Sequence, residues 1–311
     1  MGLNFEKADF VLAKKKNYIK KKIAYKFYKK IVNATGIKKT FVSDNKEDII
    51  SLSLKAAKKI INDKDKVKID AVILVTQSPK YNIPSNAFVL HSLLNLKDNC
   101  MVFDINHGCS GYIYGLNLAD SLFQSNNFKK ILLITADTYS KYCKNLKVSS
   151  IFSDSASATL LSQNVKKKSS FFFSSKSKDY KFLMQKFSNY NSSINNNVLN
   201  MEGEEIFKFT LDQVPANIKS FLKKNKLKKD NVDFYVFHQA SKIVLENLIR
   251  KLGISHKKTY INIEKYGNTV SSTIPIIISE LMKKKLFKKN KKIILCGFGV
   301  GLSMGVSLIE T

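Results

Sequence analysis

IDAVILV, Ile69 to Val75, is an unbroken run in which only Asp70 is polar. It has the length of a single strand, and its pattern is that of a β-strand buried on both faces. A second run of the same form, VDFYVF, spans Val232 to Phe237. The elements around the two runs also repeat. KILLI at 130–134 is matched by KIILC at 292–296, and Gly108 and Cys109, opening one helical segment, are matched by Gly267 and Asn268, opening another. The offsets are 163, 162 and 159 residues, so the spacing holds through three elements. Periodicity predicts helices over Glu47 to Ile61, Asn86 to Leu96 and Tyr112 to Phe123, and strands over Met101 to Ile105 and Lys130 to Thr135. Strands alternating with helices specify an α/β chain with a largely parallel sheet. The expected organisation is two duplicated halves, 1–165 and 166–311, divided where the polar stretch from Gln163 to Asn200 begins. Near the start of the first half, Lys15 to Val32 reads as a basic amphipathic helix.

The 311 residues are 44% hydrophobic and 25% charged, ample for a large core and wrong for a disordered chain. Basic residues outnumber acidic ones 53 to 24, a net charge of +29. Such a surplus first suggests nucleic acid. Arg250, however, is the single arginine, and bidentate base and phosphate contacts rely on arginine. A solvated lysine surface is therefore the expectation, with no nucleic-acid partner. The four cysteines, Cys100, Cys109, Cys143 and Cys296, form no C-x-x-C pair and have no histidine at ligand spacing, so neither a disulfide framework nor a metal site is expected. No leader is legible at the N-terminus, and no apolar run approaches the roughly 20 residues of a membrane span. A cytoplasmic location follows as the expectation.

Four positions could carry chemistry. Cys109 follows a buried strand and begins a helix, where free amide N–H groups and the helix dipole favour an anion and lower a thiol pKa. Position alone leaves open whether it is a nucleophile or a small buried cysteine in a tight turn. His238 closes the strand Phe234 to Phe237 at its carboxyl end, where open α/β sheets place ligands, though it could equally cap the strand. Asn268 is the repeat-related counterpart of Cys109, and an N-cap role fits it as well. GFGVG, 297–301, follows what reads as the last core strand and alone is a weak glycine-rich signal.

Taken in order, these positions resemble the β-ketoacyl-acyl carrier protein synthase III family. The matching motifs are TGIKKTFV (35–42), DINHGCSGYIYGLNLAD (104–120), FSDSASATLL (152–161), MEGEEIFKF (201–209), FHQASKIVLENLIRKLGI (237–254), YGNTVSSTIP (266–275) and GFGVGLSMG (297–305). The resemblance implies the thiolase fold, alternating helix and sheet layers and a homodimer. It implies Cys109 as the nucleophile that takes an acyl group from a thioester, and His238 with Asn268 as the pair that binds the thioester carbonyl of a malonyl-type extender. The backbone N–H groups of Cys109 and Val300 would form the oxyanion hole. Lys208, Arg250 and Lys251 would meet an acidic acyl carrier protein, Lys38 the CoA or pantetheine arm, and Ile83 and Phe207 the acyl pocket. No permanently bound cofactor is implied; the substrate is acyl-CoA or an acyl-carrier protein. A non-condensing acyltransferase acting on an amine or hydroxyl is the alternative.

The pattern departs from the family at several points. Residues 1–33 lack the expected glycine-rich opening, which leaves the first strand undefined. The chain has no tryptophan, Lys38 stands where the family has a stacking arginine, and Ile243 stands where a basic residue is expected five positions after the histidine. Ile83 occupies the place of an aromatic that shuts the partner's acyl pocket, so a longer or branched acyl group is expected to fit. His107, two residues before Cys109, is unusual for the motif and reads as structural; His91 and His256 read as surface positions. A nucleic-acid-binding or catalytically dead protein would have to carry the Cys–His–Asn set by chance.

Overall fold

The computed structural model describes residues 2–19, 25–125, 127–143, 146–185, 199–287 and 290–311. In chain order the first half runs β1 (Gly2–Leu12), β2 (Lys15–Tyr18), α1 (Tyr25–Thr35), β3 (Lys39–Val42), α2 (Ile49–Lys58), α3 (Asp63–Lys66), β4 (Ala71–Val75) and α4 (Asn86–Leu94). It continues with β5 (Met101–Ile105), α5 (Gly111–Gln124), β6 (Lys130–Asp137), α6 (Leu146–Ser149) and β7 (Ser155–Asn164). Then follow β8 (Ser170–Ser175), β9 (Leu183–Gln185), β10 (Leu199–Met201), α7 (Gly203–Lys224), β11 (Phe234–Phe237) and α8 (Lys242–Leu252). The chain closes with α9 (Ile263–Tyr266), α10 (Thr273–Lys283), β12 (Lys292–Gly299) and β13 (Ser303–Glu310).

The two main sheets have the orders β1-β7-β6-β4-β5 and β11-β12-β13-β8. In the first, β4 pairs parallel with β6, β6 antiparallel with β7, and β7 antiparallel with β1. The second repeats that sequence of directions: β11 is parallel to β12, β12 antiparallel to β13, and β13 antiparallel to β8. The duplication read from three elements therefore extends through four strands of each sheet, and β5 is the extra one. It is the thiolase fold. Alternation along the apolar runs explains the layers. Ala71, Ile73 and Val75 of β4 face one cluster with α5 and α10, whereas Val72 and Leu74 face α2 and α4. Likewise Ile293 and Leu295 of β12 face the α5/α10 layer, and Ile294 and Cys296 face α7 and α8. The order across the molecule is thus α2/α4, sheet, α5/α10, sheet, α7/α8. Each fully buried Leu or Ile of this core contributes roughly 1.5–3 kcal/mol.

The N-terminal region corrects the sequence reading twice. Gly2–Leu12 is a full edge strand on β7, but its register shifts between Phe5 and Lys7. The bulge turns Leu3, Phe5 and Ala8 inward, which breaks the period of two and hides the strand from pattern reading. The expected helix over Lys15 to Val32 begins only at Tyr25, residues 20–24 lying outside the described set. Lys15–Tyr18 instead pairs antiparallel with β3, so backbone pairing overrides the helical pattern. GFGVG does not end the sheet either. Its first three residues complete β12, and a hairpin returns as β13.

Candidate active site

Cys109 lies in the turn between β5 and α5 and is 7% exposed. Backbone N–H groups of Cys109 itself and of Val300 hydrogen-bond to its sulfur. Val300 is delivered by the β12–β13 hairpin, whose Gly299 has φ +155; a Cβ there would sit 2.9 Å from Cys109 Cβ and 3.1 Å from its Sγ. Glycine is required at that point by contact and by conformation alike. Two backbone amides thus converge on the Cys109 sulfur. The thiol pKa, however, is pushed up to about 12, chiefly by burial and further by the charge of Asp137, against the pull of the two amides. The expectation of a lowered thiol pKa is therefore overturned, because burial outweighs the helix terminus. Cys109 therefore rests as a thiol at neutral pH.

His238 continues past the end of β11, its amide donating to the Cys296 carbonyl at 2.8 Å. Its Nδ1 lies 2.7 Å from the Thr273 hydroxyl at the start of α10, and its ring packs edge-on against Phe298. Burial drives its pKa down to about 3, so the imidazole is neutral. The Thr273 hydroxyl, whose one hydrogen can go to the ring or to the Val270 carbonyl at 3.2 Å, is the side chain that faces Nδ1.

Asn268 is clamped by the other half of the chain. Its amide donates to the Ile151 carbonyl at 3.1 Å, and its carbonyl accepts from Ser153 N–H at 2.8 Å. Gly267, at φ +74, passes so close that a Cβ would lie 2.5 Å from Ser153 Oγ. The Asn268 side-chain oxygen accepts from Val270 N–H at 2.9 Å, which fixes the amide and leaves Nδ2 as the free donor. Asn268 does not cap α10; that position belongs to Ser272.

Cys109, His238 and Asn268 open into one cavity of about 580 Å³, otherwise mainly apolar, with Ile206, Phe207, Leu183 and Phe298 among its walls. Ile243 lies at its edge, 42% exposed. Ile83 is 89% exposed and outside the walls of this cavity. Lys38 is exposed beside β3, its carbonyl accepting from Ile19 N–H at 3.2 Å. Lys208 is exposed on α7, in a shallow hollow that also holds Lys176, Asp179, Glu205 and Asp212. Lys251 donates to the Leu211 carbonyl at 3.1 Å and approaches Asp212 at 3.8 Å, while Arg250 donates to Asn247. His91, in the last turn of α4, donates from Nε2 to the Lys97 carbonyl at 3.0 Å, and His256 is exposed.

Asp137 escaped the sequence reading. Fully buried at the end of β6, it accepts from Gln77 N–H at 2.9 Å and from the Ser271 hydroxyl and amide, joining the first sheet to the Asn268 loop. Burial raises its pKa to about 7. The signal available was an aspartate closing an otherwise apolar buried strand, KILLITAD.

A buried thiol facing two amides, with a neutral histidine and an oriented asparagine on a duplicated thiolase scaffold, defines the class of thioester-using acyltransferases. Comparison with known proteins gives the family. The description 3-Oxoacyl-[acyl-carrier-protein (ACP)] synthase III C terminal matches residues 222–311, and 3-Oxoacyl-[acyl-carrier-protein (ACP)] synthase III matches residues 103–180. Beta-ketoacyl-[acyl-carrier-protein] synthase III of Clostridium perfringens is 34% identical over 296 residues, covering 89% of this chain and 88% of that protein. The same-named protein of Clostridium tetani is 32% identical over 300 residues, covering 90% and 89%. The crystal structure of 3-oxoacyl-(acyl-carrier protein) synthase from Burkholderia xenovorans LB400 superposes with a TM-score of 0.93 at 28% identity, covering all of this chain and 94% of that one. The chain belongs to the 3-oxoacyl-[acyl-carrier-protein] synthase III family and is a condensing acyltransferase.

Proposed function

We propose that the protein primes chain synthesis by joining an acyl group to a malonyl-type extender. In the first half-reaction, Cys109 Sγ attacks the carbonyl of an acyl thioester, carried on CoA or on acyl carrier protein. The oxyanion rests on the amides of Cys109 and Val300, and the carrier thiol leaves with the cysteine proton. In the second, malonyl-acyl carrier protein places its thioester carbonyl between His238 Nε2–H and Asn268 Nδ2. Loss of CO2 leaves an enolate held by those two donors. Its carbon attacks the acyl-Cys109 carbonyl, and the β-ketoacyl carrier protein departs as Cys109 regains a proton. No permanently bound cofactor takes part.

The observation that carries this reading is the orientation of Asn268. Its oxygen is occupied by Val270 N–H, so the cavity receives a donor rather than a base. The non-condensing alternative needs a general base with a pKa near the working pH, and His238, held near 3, is a poor one. Lys208, Arg250 and Lys251 are the proposed landing for acyl carrier protein, on α7 and α8, which also wall the cavity. Lys38, close to Ala34 and Thr35 at the cavity edge, is assigned to the CoA or pantetheine arm. Phe207 and, from a second copy, Ile83 are assigned to the acyl pocket, with room for longer or branched acyl groups. A homodimer suits the free edge of β5 and the neighbouring Ile83, Phe88, Leu93 and Met101, each at least 47% exposed. The halves are taken to divide at 165/166, and the cytoplasm is the proposed location; among the described residues no helix is long and apolar enough to cross a membrane.

The test is incubation with a panel of acyl-CoAs and acyl-carrier proteins, followed by mass mapping and trapping of CO2 after malonyl-carrier protein is added. Acylation at Cys109 followed by CO2 release supports condensation. Acylation without CO2 moves the assignment to the transferase, and absence of acylation from every donor removes both.

A further inference from the structure

The Val300 amide stands between two glycines, Gly299 at φ +155 and Gly301 at φ +129, so no neighbouring side chain restrains the peptide planes that aim it. A tether is nevertheless present. Ser303 Oγ donates to the Val300 carbonyl at 2.6 Å, Ser110 Oγ lies 2.8 Å from Ser303 Oγ, and His107 Nδ1 lies 3.3 Å from Ser110 Oγ. Ser110 is fully buried and Ser303 is 4% exposed.

Counting protons orders this chain. Each serine has one hydroxyl hydrogen. That of Ser303 is committed to the Val300 carbonyl, so Ser110 must donate to Ser303 Oγ. The contact from His107 then closes only if Nδ1 carries a hydrogen and donates to Ser110. With the hydrogen on Nε2 instead, Ser110 would turn its proton to the imidazole, and two serine oxygens would face each other at 2.8 Å with none between them. His107 is clamped in place by Tyr114, 4.2 Å away ring to ring, which in turn packs on Phe173 at 4.5 Å. Burial lowers its pKa to about 4, so one ring nitrogen is unprotonated at neutral pH.

Building on the proposed acyl-transfer reaction, we propose that His107, Ser110 and Ser303 are positioning residues that hold Val300 in the oxyanion hole, with His107 as the Nδ1–H tautomer. His107, Ser110 and Ser303 are not among the walls of the cavity that holds Cys109, His238 and Asn268; His107 and Ser303 line a separate hollow with Val300. The tether acts chiefly on the steps in which the acyl carbonyl becomes tetrahedral and less on thiol reactivity, since the Cys109 amide also bonds the sulfur. His107 thereby has a role that neither the nucleophile nor the His238–Asn268 pair accounts for.

The test uses the full-length protein and compares wild type with Ser303→Ala, Ser303→Thr and His107→Ala. Single-turnover acylation of Cys109 is followed by intact mass, and alkylation of Cys109 by iodoacetamide, which forms no oxyanion, serves as the control. The expected result for Ser303→Ala is acylation slower by about 10- to 100-fold, with alkylation slowed by about five-fold at most. Ser303→Thr should restore most of the acylation rate, and His107→Ala should slow it by roughly 3- to 10-fold. Nitrogen NMR of the wild type, with His107 assigned by its loss in His107→Ala, should show the hydrogen on Nδ1 even if a serine variant fails to fold. Wild-type acylation rates in Ser303→Ala, a parallel loss of acylation and alkylation, or an Nε2–H signal for His107 would overturn the proposal. Wild-type protein that accepts no acyl group would instead overturn the reaction on which it rests.

Discussion

Ser153 N–H donates to the Asn268 carbonyl at 2.8 Å, so the half that carries the nucleophile fixes the backbone of the residue that serves the extender. Val270 N–H then fixes the Asn268 side chain. An asparagine held at backbone and side-chain oxygen has one group left to offer, its NH2.

Replacing that group isolates its function. Asn268→Asp keeps the acceptor for Val270 N–H but removes the donor, so condensation should fall by about 10²- to 10³-fold. Acylation of Cys109, which does not use Nδ2, should stay within a few-fold. Rapid-quench measurement of both half-reactions checks this, and an equal loss in both would contradict the division of labour.

Thr273 faces Nδ1 of His238. Thr273→Val deletes the hydroxyl 2.7 Å from Nδ1 without changing the shape of the side chain much. The ring then loses its side-chain partner at Nδ1 and the contact that holds its orientation. Condensation should drop by about 10-fold or more, and Thr273→Ser should recover it. Steady-state rates of the two variants decide the point.

Gly299 makes room for the thiol. Gly299→Ala puts a methyl group 2.9 Å from Cys109 Cβ and forces a residue with a side chain to φ +155. Acylation should be lost, and stability should fall by about 1–3 kcal/mol, as read from denaturant midpoints.

The Cys109 thiol should behave as a buried thiol. Because its pKa is raised to about 12, alkylation by iodoacetamide should keep climbing about tenfold per pH unit from pH 6 to 9.5. A plateau near pH 7 would mean a resting thiolate.

What pattern reading could reach follows from what is local. Cys109, His238 and Asn268 each follow a stretch whose burial or turn chemistry is written in consecutive residues. The duplication was visible because both copies keep their apolar runs at nearly constant offsets. β1 was illegible because the shift between Phe5 and Lys7 scrambles its alternation, and β2 because its lysines fit a helix as well as a strand. The thiol pKa came out with the wrong sign because burial from distant segments outweighs the helix terminus at hand. Asp137 was missed for the same reason: its partners, Gln77 and Ser271, lie 60 and 134 residues away.

The central claim is that Cys109 holds the acyl group while a carbanion freed of CO2 attacks it. Its most direct test is a single turnover with enzyme pre-acylated on Cys109 and mixed with malonyl-carrier protein labelled in the free carboxyl. One CO2 should be released and one β-ketoacyl-carrier protein formed for each acyl group lost from Cys109. Loss of the acyl group with no CO2, or release of CO2 with Cys109 still acylated, would contradict it.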